Sequence, residues 1–178
     1  HRDLKPDNIL LDDYLYPKII DFGYSRFFSA KDKDPEHKTE LVGTPMYDAP
    51  EVLGEYKYSP ACDVYSFALI VYQIISGLLP FQDINIQVGL QLIKAICIDE
   101  YRPPFNDSIP NSYKNLIEKC WNADPELRPS FDEIVEKLET DSTYLLDGVD
   151  INELFKNNSP LELIEINLLF DAFLTSQS

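Results

Sequence analysis

HRDLKPDN, residues His1 to Asn8, opens the chain and decides how the rest is read. Its eight residues bring together a carboxylate at Asp3, a cation at Lys5 and an amide oxygen at Asn8. Moving a phosphoryl group needs positioning and charge neutralisation more than covalent chemistry. A carboxylate orients the attacking hydroxyl and accepts its proton, a cation faces the moving phosphate, and hard oxygen ligands hold Mg²⁺. Downstream, DFG at Asp21–Gly23 adds a second, charged oxygen ligand in Asp21.

Between the two motifs lie short apolar runs, Ile9–Leu11 and Lys18–Ile20, with Asp12, Asp13 and Pro17 punctuating the gap. This pattern predicts a small β-hairpin that carries Asp21 at the end of its second strand. Tyr24 to Met46 is polar and broken, and KDKDPEHKTE at Lys31–Glu40 is too charged to bury, which predicts an exposed loop. Beyond Pro60 the pattern turns helical. Ala61–Ser76 is apolar on nearly every face, so a buried helix is expected, stopped by Gly77. Further helices are predicted over Ile86–Ile98, Ser112–Trp121 and Phe131–Glu139, the last with a capping-box pattern at Ser130 and Glu133. RPPF and DPELRP read as rigid connectors.

Composition narrows the partners. The 178 residues carry 31 acidic against 15 basic side chains, a formal net charge of −16. Nucleic acid and anionic lipid both need clustered Lys and Arg, so neither is an expected partner. Three widely spaced cysteines, Cys62, Cys97 and Cys120, form no C-x-x-C pair and no even framework, which predicts a reducing, cytoplasmic setting. The most apolar stretch, VYSFALIVYQII at Val64–Ile75, is too short to span a bilayer. Nothing in the sequence sets an oligomeric state.

The motifs together resemble the C-terminal lobe of a eukaryotic-type protein kinase. HRDLKPDN resembles the catalytic loop, DFG the metal-binding motif, and GTPMYDAPE the end of the activation segment. DVYSFALIVYQIISGLLPF resembles the central helix of that lobe and CWNADPELRPSFDEI its closing helices. The implied fold is mainly α, with the hairpin near the N-terminus and no N-terminal lobe. The resemblance divides the chain into a kinase lobe at 1–140 and an acidic tail at 141–178. It implies ATP and Mg²⁺ as cofactors and a protein as substrate. LKP after HRD and GTP before APE resemble serine/threonine kinases, and CW with DVYSF resembles the tyrosine-kinase-like group of these.

The resemblance also implies roles. Asp3 would be the catalytic base and Lys5 would contact the γ-phosphate, while Asn8 and Asp21 would hold the metal ions. Thr44 would brace Asp3 from the substrate side. Glu51 would pair with Arg128, and Asp63 would hold the catalytic loop by accepting backbone hydrogen bonds. The bland reading of Asp63 is a helix N-cap. Arg2 would bind a phosphate on the activation segment, with Thr39 the favoured acceptor among the loop hydroxyls. Two positions depart from the family wording: Asp48, where an uncharged residue is frequent, and Ala68, where Gly is common.

The six glycines contain no G-x-G spacing, so no phosphate-covering loop stands among these residues. The chain is therefore expected to be a fragment cut at the catalytic loop and inactive by itself. A pseudokinase-like interaction module is the rival reading. In the tail, SPLE at Ser159–Glu162 predicts a capped helix start.

Overall fold

Seventeen residues from Pro60 to Ser76 form the longest helix, and its sequence explains why it is central. Pro60 stands at the first position, where its missing N–H removes no hydrogen bond. From Cys62 to Tyr72 every residue is buried, Tyr65, Ala68 and Leu69 completely. A helix apolar all round has to be enclosed, and each large side chain so buried contributes about 1.5–3 kcal/mol. Gly77 ends it in a left-handed conformation with φ 69°, its N–H donating to the Gln73 carbonyl at 2.9 Å.

The computed structural model describes residues 1–13, 16–25, 45–55, 57–84, 89–107 and 109–144. In chain order these contain strands β1 (Ile9–Leu11) and β2 (Pro17–Ile19), then helices α1 (Pro50–Glu55), α2 (Pro60–Ser76), α3 (Gly89–Cys97), α4 (Asn111–Cys120) and α5 (Phe131–Thr140). Short 3₁₀ turns intervene at Pro6–Asn8, Phe22–Tyr24, Pro45–Tyr47, Pro125–Leu127 and Ser142–Tyr144. The chain divides into two units. The first comprises His1–Lys5 and Phe22–Phe131, the second Pro6–Asp21 and Asp132–Ser178.

In the first unit α2 packs against α4, and α1 against α3. Phe67 meets Phe131 edge to face at 5.8 Å, and Phe105 stacks on Trp121 at 5.3 Å. Truncating one of these rings in place, as in Phe67→Ala, would cost about 3–5 kcal/mol. RPPF does more than connect. Arg102 Nε donates to the Trp121 carbonyl at 2.9 Å, just past α4, and Nη1 reaches the carbonyls of Tyr101 at 2.9 Å and Ile96 at 3.4 Å.

In the second unit β1 and β2 pair antiparallel, Ile9 with Ile19, Leu10 with Lys18 and Leu11 with Pro17. The predicted second strand is displaced by one residue, because Pro17 joins the ladder instead of the turn. As the strand's first residue it can do so without a bond lost. The helices expected from Ala61 and Ser112 start one residue earlier, at Pro60 and Asn111, and the one expected from Phe131 starts there. Residues 86–88 of the helix expected over Ile86–Ile98 lie outside the described residues. Helix α1 was not foreseen: APE reads as a motif, and six residues carry too little periodicity to betray a helix. Most of the predicted exposed loop, and the SPLE helix start, lie outside the described residues.

Candidate active site

The opening loop is held in place by one buried carboxylate. Asp63 lies in the first turn of α2, whose N-cap is Ser59. Its oxygens face the loop: the His1 backbone nitrogen lies 2.7 Å from Oδ2, and the Arg2 N–H donates to Oδ1 at 2.9 Å. Hence the N-cap reading of Asp63 fails: Ser59 is the N-cap, and the Asp63 carboxylate accepts from the loop. Two charge-assisted bonds to main-chain nitrogens fix the backbone just before Asp3.

That fixation has a local cost. Arg2 has φ 69° and Asp21 φ 61°, two of the four positive-φ non-glycine residues among those described. Such conformations cost on the order of 1–3 kcal/mol each and persist only where the surroundings impose them. Aspartate tolerates this region better than arginine does, which is why the Asp63 anchor matters most at Arg2.

Asp3 and Lys5 lie two residues apart and meet. Lys5 Nζ stands 2.9 Å from Asp3 Oδ2 and 3.2 Å from Oδ1, with both side chains partly exposed. A carboxylate beside an ammonium at a solvent-open position can approach a substrate hydroxyl and a phosphate together.

In the hairpin unit the ladder runs one bond past the strands, with the Ile20 N–H donating to the Asn8 carbonyl at 2.9 Å. Asn8 and Asp21 are thereby carried at the same open end of the hairpin. Asn8 is buried and Asp21 exposed. One amide oxygen and one carboxylate are hard donors of the kind Mg²⁺ takes, and they are too few to enclose it. Among the described residues no three His, Cys, Asp or Glu side chains gather into a metal cage. These two donors would fit a Mg²⁺ ion as two of its oxygen ligands.

Glu51, on α1, and Arg128 form a two-pronged pair at 2.7 and 2.8 Å. Arg128 also donates to the carbonyls of Asn122 at 2.8 Å, Ala61 at 2.9 Å and Ala123 at 3.4 Å. All five guanidinium N–H groups are used. The Tyr65 ring centroid lies 5.1 Å from the Arg128 guanidinium carbon and 5.1 Å from that of Arg102, so one ring serves two cations. Burial pushes the Tyr65 phenol up to about 12 against the pull of both arginines.

Thr39 and Thr44 lie outside the described residues. Asp48 is half-buried, with its N–H on the Pro45 carbonyl at 3.3 Å, and Ala68 is fully buried in α2. All three cysteines are free thiols, and burial, then Asp63, pushes the Cys62 thiol upward. Sequence reasoning missed Tyr58, whose ring lies 5.2 Å from the Arg2 guanidinium, and Arg102. Neither has a sequence signal, since their partners are ring faces and main-chain carbonyls brought close only by folding. No helix among the described residues is long and apolar enough to cross a membrane.

Comparison with known proteins agrees with this geometry. The model of the protein kinase domain family matches residues 1–138. The dual specificity protein kinase shkA of Dictyostelium discoideum is 40% identical over 139 residues, covering 78% of this chain and 26% of that protein. A probable serine/threonine-protein kinase of the same organism is 41% identical over 140 residues, 78% of this chain and 10% of the relative. Another, drkC, is 38% identical over 139 residues, 78% of this chain and 18% of its own length. The chain spans about a quarter or less of the curated relatives it matches.

Proposed function

We propose that this chain, which belongs to the protein kinase domain family, supplies the catalytic loop of a serine/threonine kinase that transfers the γ-phosphate of ATP to protein hydroxyls. Residues 1–140 act as the C-terminal lobe and 141–178 as an acidic tail. The observation that carries the reading is the anchored loop: Asp63 grips the backbone of His1 and Arg2, and Asp3 follows with Lys5 at 2.9 Å.

In this reading Asp3 orients the substrate hydroxyl and accepts its proton as the oxygen attacks. Lys5 neutralises charge on the transferred phosphate. Asn8 and Asp21 would hold Mg²⁺, which when bound would supply charge neutralisation at the phosphate oxygens of ATP. Thr44 braces Asp3 on the substrate side. Glu51 and Arg128 fix α1 to the segment before α5. Arg2 receives a phosphate carried by Thr39 through charge-assisted hydrogen bonds. Preference for serine and threonine is supported by LKP and GTP and by the names of two relatives, while a third relative is named a dual specificity kinase. The free, odd cysteines support a reducing cellular compartment.

The test is ATP-dependent phosphorylation of serine, threonine and tyrosine peptides by the full-length protein. Transfer to serine and threonine that Asp3→Asn abolishes is the expected result. Nucleotide binding without any transfer would favour an interaction module, and transfer to tyrosine at equal rate would make the enzyme dual specific.

A further inference from the structure

The Arg2 guanidinium is held by more than a phosphate-docking role requires. Its Nε donates to the Tyr24 carbonyl, in the turn that follows Asp21. Its Cζ lies 5.2 Å from the centroid of the Tyr58 ring, in the stretch between α1 and α2. Asp63 fixes the backbone of Arg2 at φ 69°, but the long side chain keeps its rotamer freedom unless a surface lies against it. A planar guanidinium stacks well on an aromatic face, and the half-buried Tyr58 ring provides one. Burial comes first, then the carboxylate of Asp48 and the Cys62 thiol, in pushing the Tyr58 phenol up to about 12. The ring under Arg2 is therefore a neutral, electron-rich phenol.

Among the described residues, the stretch Phe22–Ser25 touches the loop through a ring contact and two hydrogen bonds. The rings of His1 and Phe22 meet edge to face at 5.0 Å, Ser25 Oγ donates to the His1 carbonyl at 3.4 Å, and Arg2 reaches the Tyr24 carbonyl. The last has a charged donor, and that donor rests on Tyr58, a residue from outside both segments.

We propose that Tyr58 is a positioning residue: its ring face holds the Arg2 guanidinium on the Tyr24 carbonyl and keeps the catalytic loop tied to the turn after Asp21. This deepens the kinase reading above and rests on it for the effect on turnover. Through Arg2, Tyr58 acts on the tie before any phosphate docks there. A ring that served only to fill space would tolerate any change preserving its shape.

Ring fluorination separates the two roles, since fluorine drains the π face while hardly altering volume. In the full-length protein, position 58 is replaced by Phe and by phenylalanines carrying one, two and three ring fluorines. Tyr58→Phe is expected to retain activity within two-fold. The fluorinated series should then lower kcat stepwise by about two- to five-fold in total, the range that a cation–π contact of this exposure covers. The KM for peptide and the thermal midpoint should stay constant. In an Arg2→Lys background, where the flat fork is gone, the slope should flatten. Hydrogen exchange of the Ser25 amide, which donates to the Phe22 carbonyl at 2.9 Å, gives a readout independent of catalysis. It should quicken along the series. An inactive parent whose Ser25 exchange still followed fluorination would overturn the kinase reading and keep the role of Tyr58. Exchange and kcat both flat along the series, or the same slope with Arg2→Lys, would overturn the role itself.

Discussion

Two acid–base pairs in the first unit use the same chemistry to opposite ends. Glu51 and Arg128 stand 77 residues apart in sequence and meet in two parallel bonds, with the arginine side chain wholly shielded from water. Asp3 and Lys5 stand two residues apart and meet loosely, both partly exposed. In the buried pair every arginine donor is committed, so Arg128 has none left for a substrate. In the open pair the carboxylate can exchange its ammonium partner for a hydroxyl at little cost, because water already competes for both. Placement in the fold, and not residue type, separates an ion pair that holds structure from one able to do chemistry.

The largest effect should come from the open pair. Asp3→Asn in the full-length protein is expected to lower turnover by about 10²- to 10⁴-fold, the span that general-base catalysis covers, with stability nearly unchanged. Nucleotide binding, followed by titration calorimetry with Mg²⁺ and ATP, should persist. Asp21→Asn should weaken that binding as well. Near-normal rates in both variants would remove the chemical half of the comparison.

The buried pair should respond in stability instead. Arg128→Met leaves the Glu51 carboxylate enclosed without its partner, and losses of this kind run to about 3–5 kcal/mol. Denaturant midpoints of the full-length protein would show it. The double variant Glu51→Leu with Arg128→Met removes both charges and should recover part of the loss. Recovery stays incomplete, because Arg128 also satisfies the carbonyls of Ala61, Asn122 and Ala123. If the single variant were as stable as the parent, the pair would be no structural clamp.

Tyr65 sharpens the same point with a smaller effect. Its hydroxyl is buried and finds no partner among the described residues, while its ring serves two arginines. Tyr65→Phe should be neutral or stabilising by up to about 1 kcal/mol near pH 7, since an unpaired buried hydroxyl is a liability. The phenol titrates at about 12 in the folded protein and near 10 when unfolded. Folding therefore favours the neutral form. That contribution is complete below pH ~10 and disappears as the pH climbs through 12. Alkaline unfolding curves of Tyr65→Phe should lose one proton's dependence in that window. An unchanged slope would show that the hydroxyl is solvated after all.

What the sequence showed and what it hid follow the same division. Helix α2 was legible because eleven consecutive enclosed residues leave an unmistakable pattern. The hairpin was legible from its turn residues, although Pro17 slipped into the strand. The local pair Asp3 and Lys5 could be read from spacing alone. Glu51 and Arg128 could be paired only through family resemblance, because nothing in composition joins residues so distant. The stack of Arg2 on Tyr58 and the grip of Arg102 on the Trp121 carbonyl had no signature at all. Ring faces and main-chain oxygens are present along the whole chain, and only the fold selects among them.

A third pair sets the baseline for the comparison. Lys94, in α3, meets Asp99 at 2.6 Å with both side chains at least half exposed. LIKAI, the stretch around it, superficially resembles a nucleotide-binding lysine motif, yet Lys94 lies in a helix and points its ammonium at the following turn. Distance alone would rank this pair above Glu51 and Arg128. Solvent reverses that ranking, because water screens the attraction and ordering two long side chains costs entropy. Lys94→Ala should change stability by less than about 0.5 kcal/mol, and even that should vanish in 1 M salt, where the screening length falls to about 3 Å. Turnover should not change. A loss comparable to that of Arg128→Met, persisting in high salt, would mean that exposure does not govern the worth of these pairs, and the contrast between the buried and open pairs would have to rest on geometry alone.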